Sequence, residues 1–175
     1  MSLRDEIGHR LREGRLFKLL PMLDGDRVER TMLVSEEVHA AVNGPWDSAD
    51  ADRMARLRAD LDNFTEGAAI SISQEPFRKP KTTYLARTHP PEDEVWDIRS
   101  RDPKPGIRVL GRFAEKDVFI ALVWNHREAL GGPGSKEWRD FIERCKAEWR
   151  RLFPTYPPHS GRRIDDYVSE DFYVV

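Results

Sequence analysis

The run Val118 to Trp124, VFIALVW, contains no polar side chain. So short and β-rich an apolar stretch is buried on both sides, which places it in the middle of a sheet. Two runs before it alternate instead. Trp96 and Ile98 interleave with Val95, Asp97 and Arg99, while Ile107, Val109, Gly111 and Phe113 interleave with Arg108, Leu110 and Arg112. Alternation of this kind suits strands with one wet face. The linker SRDPKPG joins the two runs with hairpin chemistry, and AEKD turns the second into the apolar run. The spacing also sets Arg108 and Arg112 on one face of a strand, roughly 13 Å apart at about 3.3 Å per residue.

Helical spacing dominates elsewhere. Leu3, Ile7, Leu11, Phe17 and Leu20 predict an amphipathic helix from a Ser2 cap to Pro21. Thr31 to Val34 reads as a short strand, followed by a helix from Ser35 that Asn43-Gly44-Pro45 ends. Met54, Leu57, Leu61 and Phe64 mark a second helix, stopped at Gly67. Ala68 to Ser73 and Thr82 to Thr88 are strand-like, and the basic, Pro-flanked connector EPFRKPK separates them. Ser135 caps a last helix carrying Trp138, Phe141, Ile142, Cys145, Trp149 and Leu152 on one stripe. Tyr167 to Val175 reads as a final edge strand.

The expected fold is therefore α+β, an antiparallel sheet of about four or five strands covered by helices. Its expected parts are an N-terminal helical extension over 1–49, an α+β core with its following helix over 50–153, and a tail over 154–175. The 175 residues suffice for a real core.

Net charge is −2, so attraction of the whole molecule to nucleic acid or anionic membrane is not indicated. The charge is uneven, however. Acids dominate Asp24 to Glu66, and Lys and Arg are in excess from Phe77 to Arg127. A single cysteine, Cys145, excludes an internal disulfide and fits a reducing compartment. No apolar run approaches the roughly 20 residues of a membrane span, and no secretory leader is read, so a cytoplasmic location is expected.

His9, His39, His89, His126 and His159 are scattered without metal-site spacing, so no metal is expected. No phosphate-cradling glycine motif or nucleophile elbow is present, and no cofactor is expected. What remains is a basic constellation. Arg108 and Arg112 share a strand face, Arg99 ends the strand before, and His126-Arg127 follows the apolar run. Arginine's planar fork suits phosphate, and histidine exchanges protons near neutral pH. Together they could hold a phosphodiester and protonate a leaving oxygen. The same arginines equally suit plain ion pairs on a solvated sheet, with Asp97 near enough in sequence to take one.

Val95-Trp96-Asp97-Ile98-Arg99, Gly106-Ile107-Arg108-Val109-Leu110 and Val118 to Trp124, preceded by Leu57 to Gly67 and PFRKPK, resemble the RelE/ParE superfamily of bacterial toxins, HigB-like and phage-derived members included. The pattern covers roughly Asp50 to Arg127. The resemblance implies a RelE-like core and ribosome-dependent mRNA cleavage by the RNA's own 2′-hydroxyl. It also implies an antitoxin partner and no cofactor. It puts Arg108 at the scissile phosphate, Arg127 at the end of the next strand, and Lys79 and Lys81 in the basic segment before the meander. In that reading Arg108, Arg112, His126 and Arg127 are catalytic, and Lys79, Lys81 and Arg99 bind RNA. The chain departs from the pattern in reading VWNHRE where the superfamily has a Lys-rich strand end, and in being slightly acidic. The alternative is a non-catalytic binding or regulatory protein on the same scaffold, with the acidic half and the aromatic tail making oligomer or partner contacts.

Overall fold

The structure is a computed structural model that describes residues 1–25 and 27–175. One eight-stranded sheet organises it, in the order β1-β2-β7-β6-β5-β4-β3-β8. The strands are β1 (Leu16–Lys18), β2 (Thr31–Ser35), β3 (Ile70–Ser73), β4 (Leu85–Arg87), β5 (Trp96–Ser100), β6 (Ile107–Glu115), β7 (Val118–His126) and β8 (Phe172–Val174). Helices α1 (Leu3–Arg12), α2 (Glu36–Asn43), α3 (Ala51–Thr65) and α4 (Lys136–Leu152) cover it.

The sheet is mixed, which corrects the expected antiparallel sheet of four or five strands. Strands β4 to β7 form the antiparallel meander that the alternating runs predict. Outside it, β2 pairs with β7 in parallel, and β3 pairs in parallel with both β4 and β8. Parallel partners lie far apart in sequence, so no local turn signal announces them. One sheet thus runs through all three expected segments, because β1 and β2 come from residues 1–49 and β8 from the tail.

The first helix is also shorter than its apolar spacing predicts. Ser2 and Asp5 form a reciprocal capping box, but the helix ends at Arg12. Gly14 then takes the left-handed conformation, φ +69°, and redirects the chain into β1. Phe17 therefore belongs to a strand, where its ring stacks on His39 at 3.7 Å.

Side-chain alternation splits the core into two layers. Met32, Val34, Ile72, Leu85, Trp96, Ile98, Val109, Phe113 and Phe119 pack beneath α2 and α3. Leu33, Leu110, Ile120, Leu122 and Val123 pack beneath α4, against Phe141, Cys145 and Trp149. Cys145 is fully buried, and its thiol is pushed up to about 12 by that burial, as suits an inert core residue.

Two irregularities shape the centre. Gly111 packs so closely on β7 that an added Cβ would lie 2.2 Å from the Ile120 carbonyl oxygen. Beside it the register slips, with Leu110 opposite Val123 but Gly111 opposite Ala121. Leu122 is the surplus residue of a β-bulge, so Leu122 and Val123 both enter the α4 layer. Every side chain of β7 after the bulge is thereby moved to the opposite face from the one that simple alternation assigns.

Candidate functional site: a cationic cavity beside helix α4

Helix α4 lies over β6 and β7. Next to it a cavity of about 450 Å³ opens over the same face of β4, β5 and β6. Ala86, Asp97, Arg99 and Arg108 lie in these strands. Trp138, Arg139 and Ile142 come from the first turns of α4, and Phe77, Lys79 and Lys81 from the basic connector. His89 and Arg127 complete the rim. The volume falls within the range of about 300–1,000 Å³ usual for small-molecule sites.

Among the described residues six cationic side chains line this space (Lys79, Lys81, Arg99, Arg108, Arg127 and Arg139) against one carboxylate, Asp97. Arg87 borders the cavity through its backbone strand, but its guanidinium turns to the opposite face of the sheet. Arg87 forms a salt bridge with Glu94, and Arg127 and Arg139 donate to the Gly131 and Gly134 carbonyls. Lys79 donates to the Pro76 carbonyl, and burial holds its pKa below the ordinary lysine value. Arg99 donates to the carbonyls of Pro80 and Thr83, at 3.2 and 3.3 Å, while its buried Nε has no partner among the described residues.

Arg108 and Asp97 are less satisfied still. They are 8% and 5% exposed, yet Arg108 Nε and Nη1 and Asp97 Oδ1 have no hydrogen-bond partner. Their closest approach, Arg108 Nε to Asp97 Oδ2, is 3.8 Å, too long for a hydrogen bond. Arg108 also sits directly across the β5–β6 ladder from Arg99. Like charges directly opposite on one face destabilise a sheet. Burial raises the Asp97 pKa, and the cations that pull it back, strongest first, are Arg108, Arg99, Lys79 and Arg127.

Five of the seven residues singled out from the sequence thus share one cavity: Lys79, Lys81, Arg99, Arg108 and Arg127. Arg112 lies on the same strand face but beneath α4. Its guanidinium stacks 5.6 Å from the Trp149 ring and donates to the Asp93 carbonyl. His126 is on the opposite face. The bulge turns it toward α3, where its Nε2 lies 3.1 Å from Asp50 Oδ1, and its ring meets Trp124 edge-on.

Sequence reasoning did not assign Phe77, His89 or Trp138 to a site. Phe77 is 53% exposed, and its ring contacts that of His89 at 5.3 Å. An apolar ring left outside both core layers was the available signal. Trp138 falls on the apolar stripe of α4 and packs against the core through Phe141, as its spacing predicts, but it is only half-buried and also lines the cavity.

Among the described residues no group of three or more His, Cys, Asp or Glu side chains comes together that could hold a metal ion. No helix formed by them is long and apolar enough to cross a membrane. The chain matches no protein family, curated protein or solved structure.

Proposed function

We propose that the cavity binds a phosphate-bearing ligand of nucleotide size, either a mononucleotide or the end of an RNA strand. One observation carries this reading. Arg108 is buried at the cavity with two guanidinium nitrogens unpartnered, directly opposite a second arginine. A phosphate oxygen is the natural complement of an unpartnered guanidinium N–H, and its charge would relieve the repulsion between Arg108 and Arg99. Lys79, Lys81 and Arg127 supply further charge around the same space. Phe77, His89 and Trp138 offer ring faces on which a base can stack.

Calorimetric titration with adenosine monophosphate and with pyrophosphate tests the proposal. Arg108→Ala is expected to lose about tenfold or more in affinity, the usual scale for a hydrogen bond to a charged group. Wild-type affinity is expected to fall steeply with salt, as phosphate recognition requires. No binding by the wild type, or equal binding by the variant, would overturn the reading.

A second, catalytic reading is a toxin-type endoribonuclease with an antitoxin partner, acting on mRNA in the cytoplasm. The convergence of Lys79, Lys81, Arg99, Arg108 and Arg127 favours it, and the β4–β7 meander is the part of the sheet that would be its RelE-like core. In this reading Arg108 stabilises charge on the phosphorane. His126, held by Asp50 on the far face, does not serve as proton donor; Asp97 and His89 are the titratable groups at hand. Growth arrest on expression, abolished by Arg108→Ala, is the expected result. A harmless wild-type chain that cleaves no mRNA on ribosomes would remove this reading and leave ligand binding standing.

A further inference from the structure

We infer that Asp97 is a specificity residue, which selects ligands carrying a hydroxyl next to the phosphate. The inference rests on the phosphate-binding reading and adds to it the chemistry beside the phosphate. A site built for a bare polyanion has no use for a buried carboxylate, because that carboxylate repels the ligand. Asp97 nevertheless stands among the cations, with Oδ1 unpartnered and Oδ2 3.8 Å from Arg108 Nε. The two groups are neighbours that do not satisfy one another.

Such a pair is satisfied jointly by a ligand presenting an acceptor and a donor side by side. A phosphate oxygen accepts from Arg108 Nη1, and an adjacent O–H donates to Asp97 Oδ1. A ribose 2′-hydroxyl beside a 3′-phosphate has this arrangement, as does a polyol phosphate. Both groups are at least nine-tenths buried, so a ligand lacking the hydroxyl leaves Asp97 desolvated and unpaired. The discrimination is accordingly against the hydroxyl-free analogue.

The test compares two ligand pairs on the intact chain by calorimetry. One pair is adenosine 3′-monophosphate and its 2′-deoxy counterpart, and the other is glycerol 3-phosphate and propyl phosphate. Inorganic phosphate is the reference ligand. The wild type is expected to bind the hydroxylated member of one pair about tenfold tighter or more, and that pair identifies the source as ribonucleotide or polyol. Asp97→Ala is expected to bring the affinity for the hydroxylated member down to that of its hydroxyl-free analogue, so that the ratio of the two falls to about one. A merely structural Asp97 would lower all affinities together, which counts against the inference. Asp97→Asn keeps the shape and one acceptor oxygen, and it is expected to narrow the gap if the alanine variant does not fold. No gap in either pair, or a gap that both variants retain in full, overturns the inference. Phosphate binding without a hydroxyl gap sinks this inference alone, whereas no phosphate binding at all sinks the site itself.

Discussion

Two buried arginine–carboxylate pairs stand on opposite faces of the sheet, and they are completed to different degrees. Arg87 meets Glu94 at 2.9 Å, and Tyr167 donates to the same carboxylate at 2.6 Å, with Ser160 adding a bond at 3.0 Å. The Arg87 guanidinium also stacks 5.1 Å from the Trp96 ring and 5.2 Å from that of Tyr167. Arg108 and Asp97, equally buried, stand 3.8 Å apart with atoms unpartnered. The first pair fastens the tail to the sheet and satisfies its carboxylate, though Arg87 Nε has no partner among the described residues. The second is chemically unfinished. Their contrast teaches that burial of a charge does not disclose its purpose, whereas the completeness of its hydrogen bonding does.

The comparison can be broken most directly at the finished pair. Glu94→Ala strands Arg87 without its carboxylate, and is expected to cost about 3–5 kcal/mol in urea unfolding, the scale for removing one partner of a buried pair. A loss below about 1 kcal/mol, an ordinary single-substitution effect, would show that the network is not what secures the tail.

At the unfinished pair, replacing both members together, Asp97→Leu with Arg108→Met, is expected to leave stability unchanged or to raise it by about 1–4 kcal/mol, while phosphate binding disappears. A large loss in the same unfolding measurement would make the pair structural after all.

The smallest effect is a slope with pH. Because burial raises the Asp97 pKa above 3.8, the folded state holds that proton more tightly than the unfolded chain does. Its contribution is therefore most favourable below pH 3.8 and declines as pH climbs through the raised folded value. Asp97→Asn removes this decline, so the variant should gain on the wild type as pH rises above 3.8, by about 1.4 kcal/mol for each pH unit by which the folded value is raised. Parallel stability curves for the two proteins would contradict the assigned environment of Asp97.

The sequence made the middle of the sheet legible because β4 to β7 are neighbours both in the chain and in space. Apolar alternation and turn residues report such local pairings directly. The outer strands were harder to read. The pairing of β2 with β7 depends on which distant segment can fill that edge of the meander, and β1 was concealed by Phe17 falling into step with the helix before it. At the site, Lys79, Lys81, Arg99, Arg108 and Arg127 were visible as a basic excess near the meander. Arg112 and His126 went elsewhere for reasons that spacing does not carry. One is the line along which α4 crosses β6, and the other is a single surplus residue in β7.

That surplus residue has a consequence for how the protein could change. Because Leu122 resets the phase of everything behind it, deleting one amino acid there would swing the imidazole of His126 from its carboxylate neighbour toward the arginine-lined chamber. A pocket with no histidine on its floor would then acquire one in a single genetic step, without any new side chain being invented.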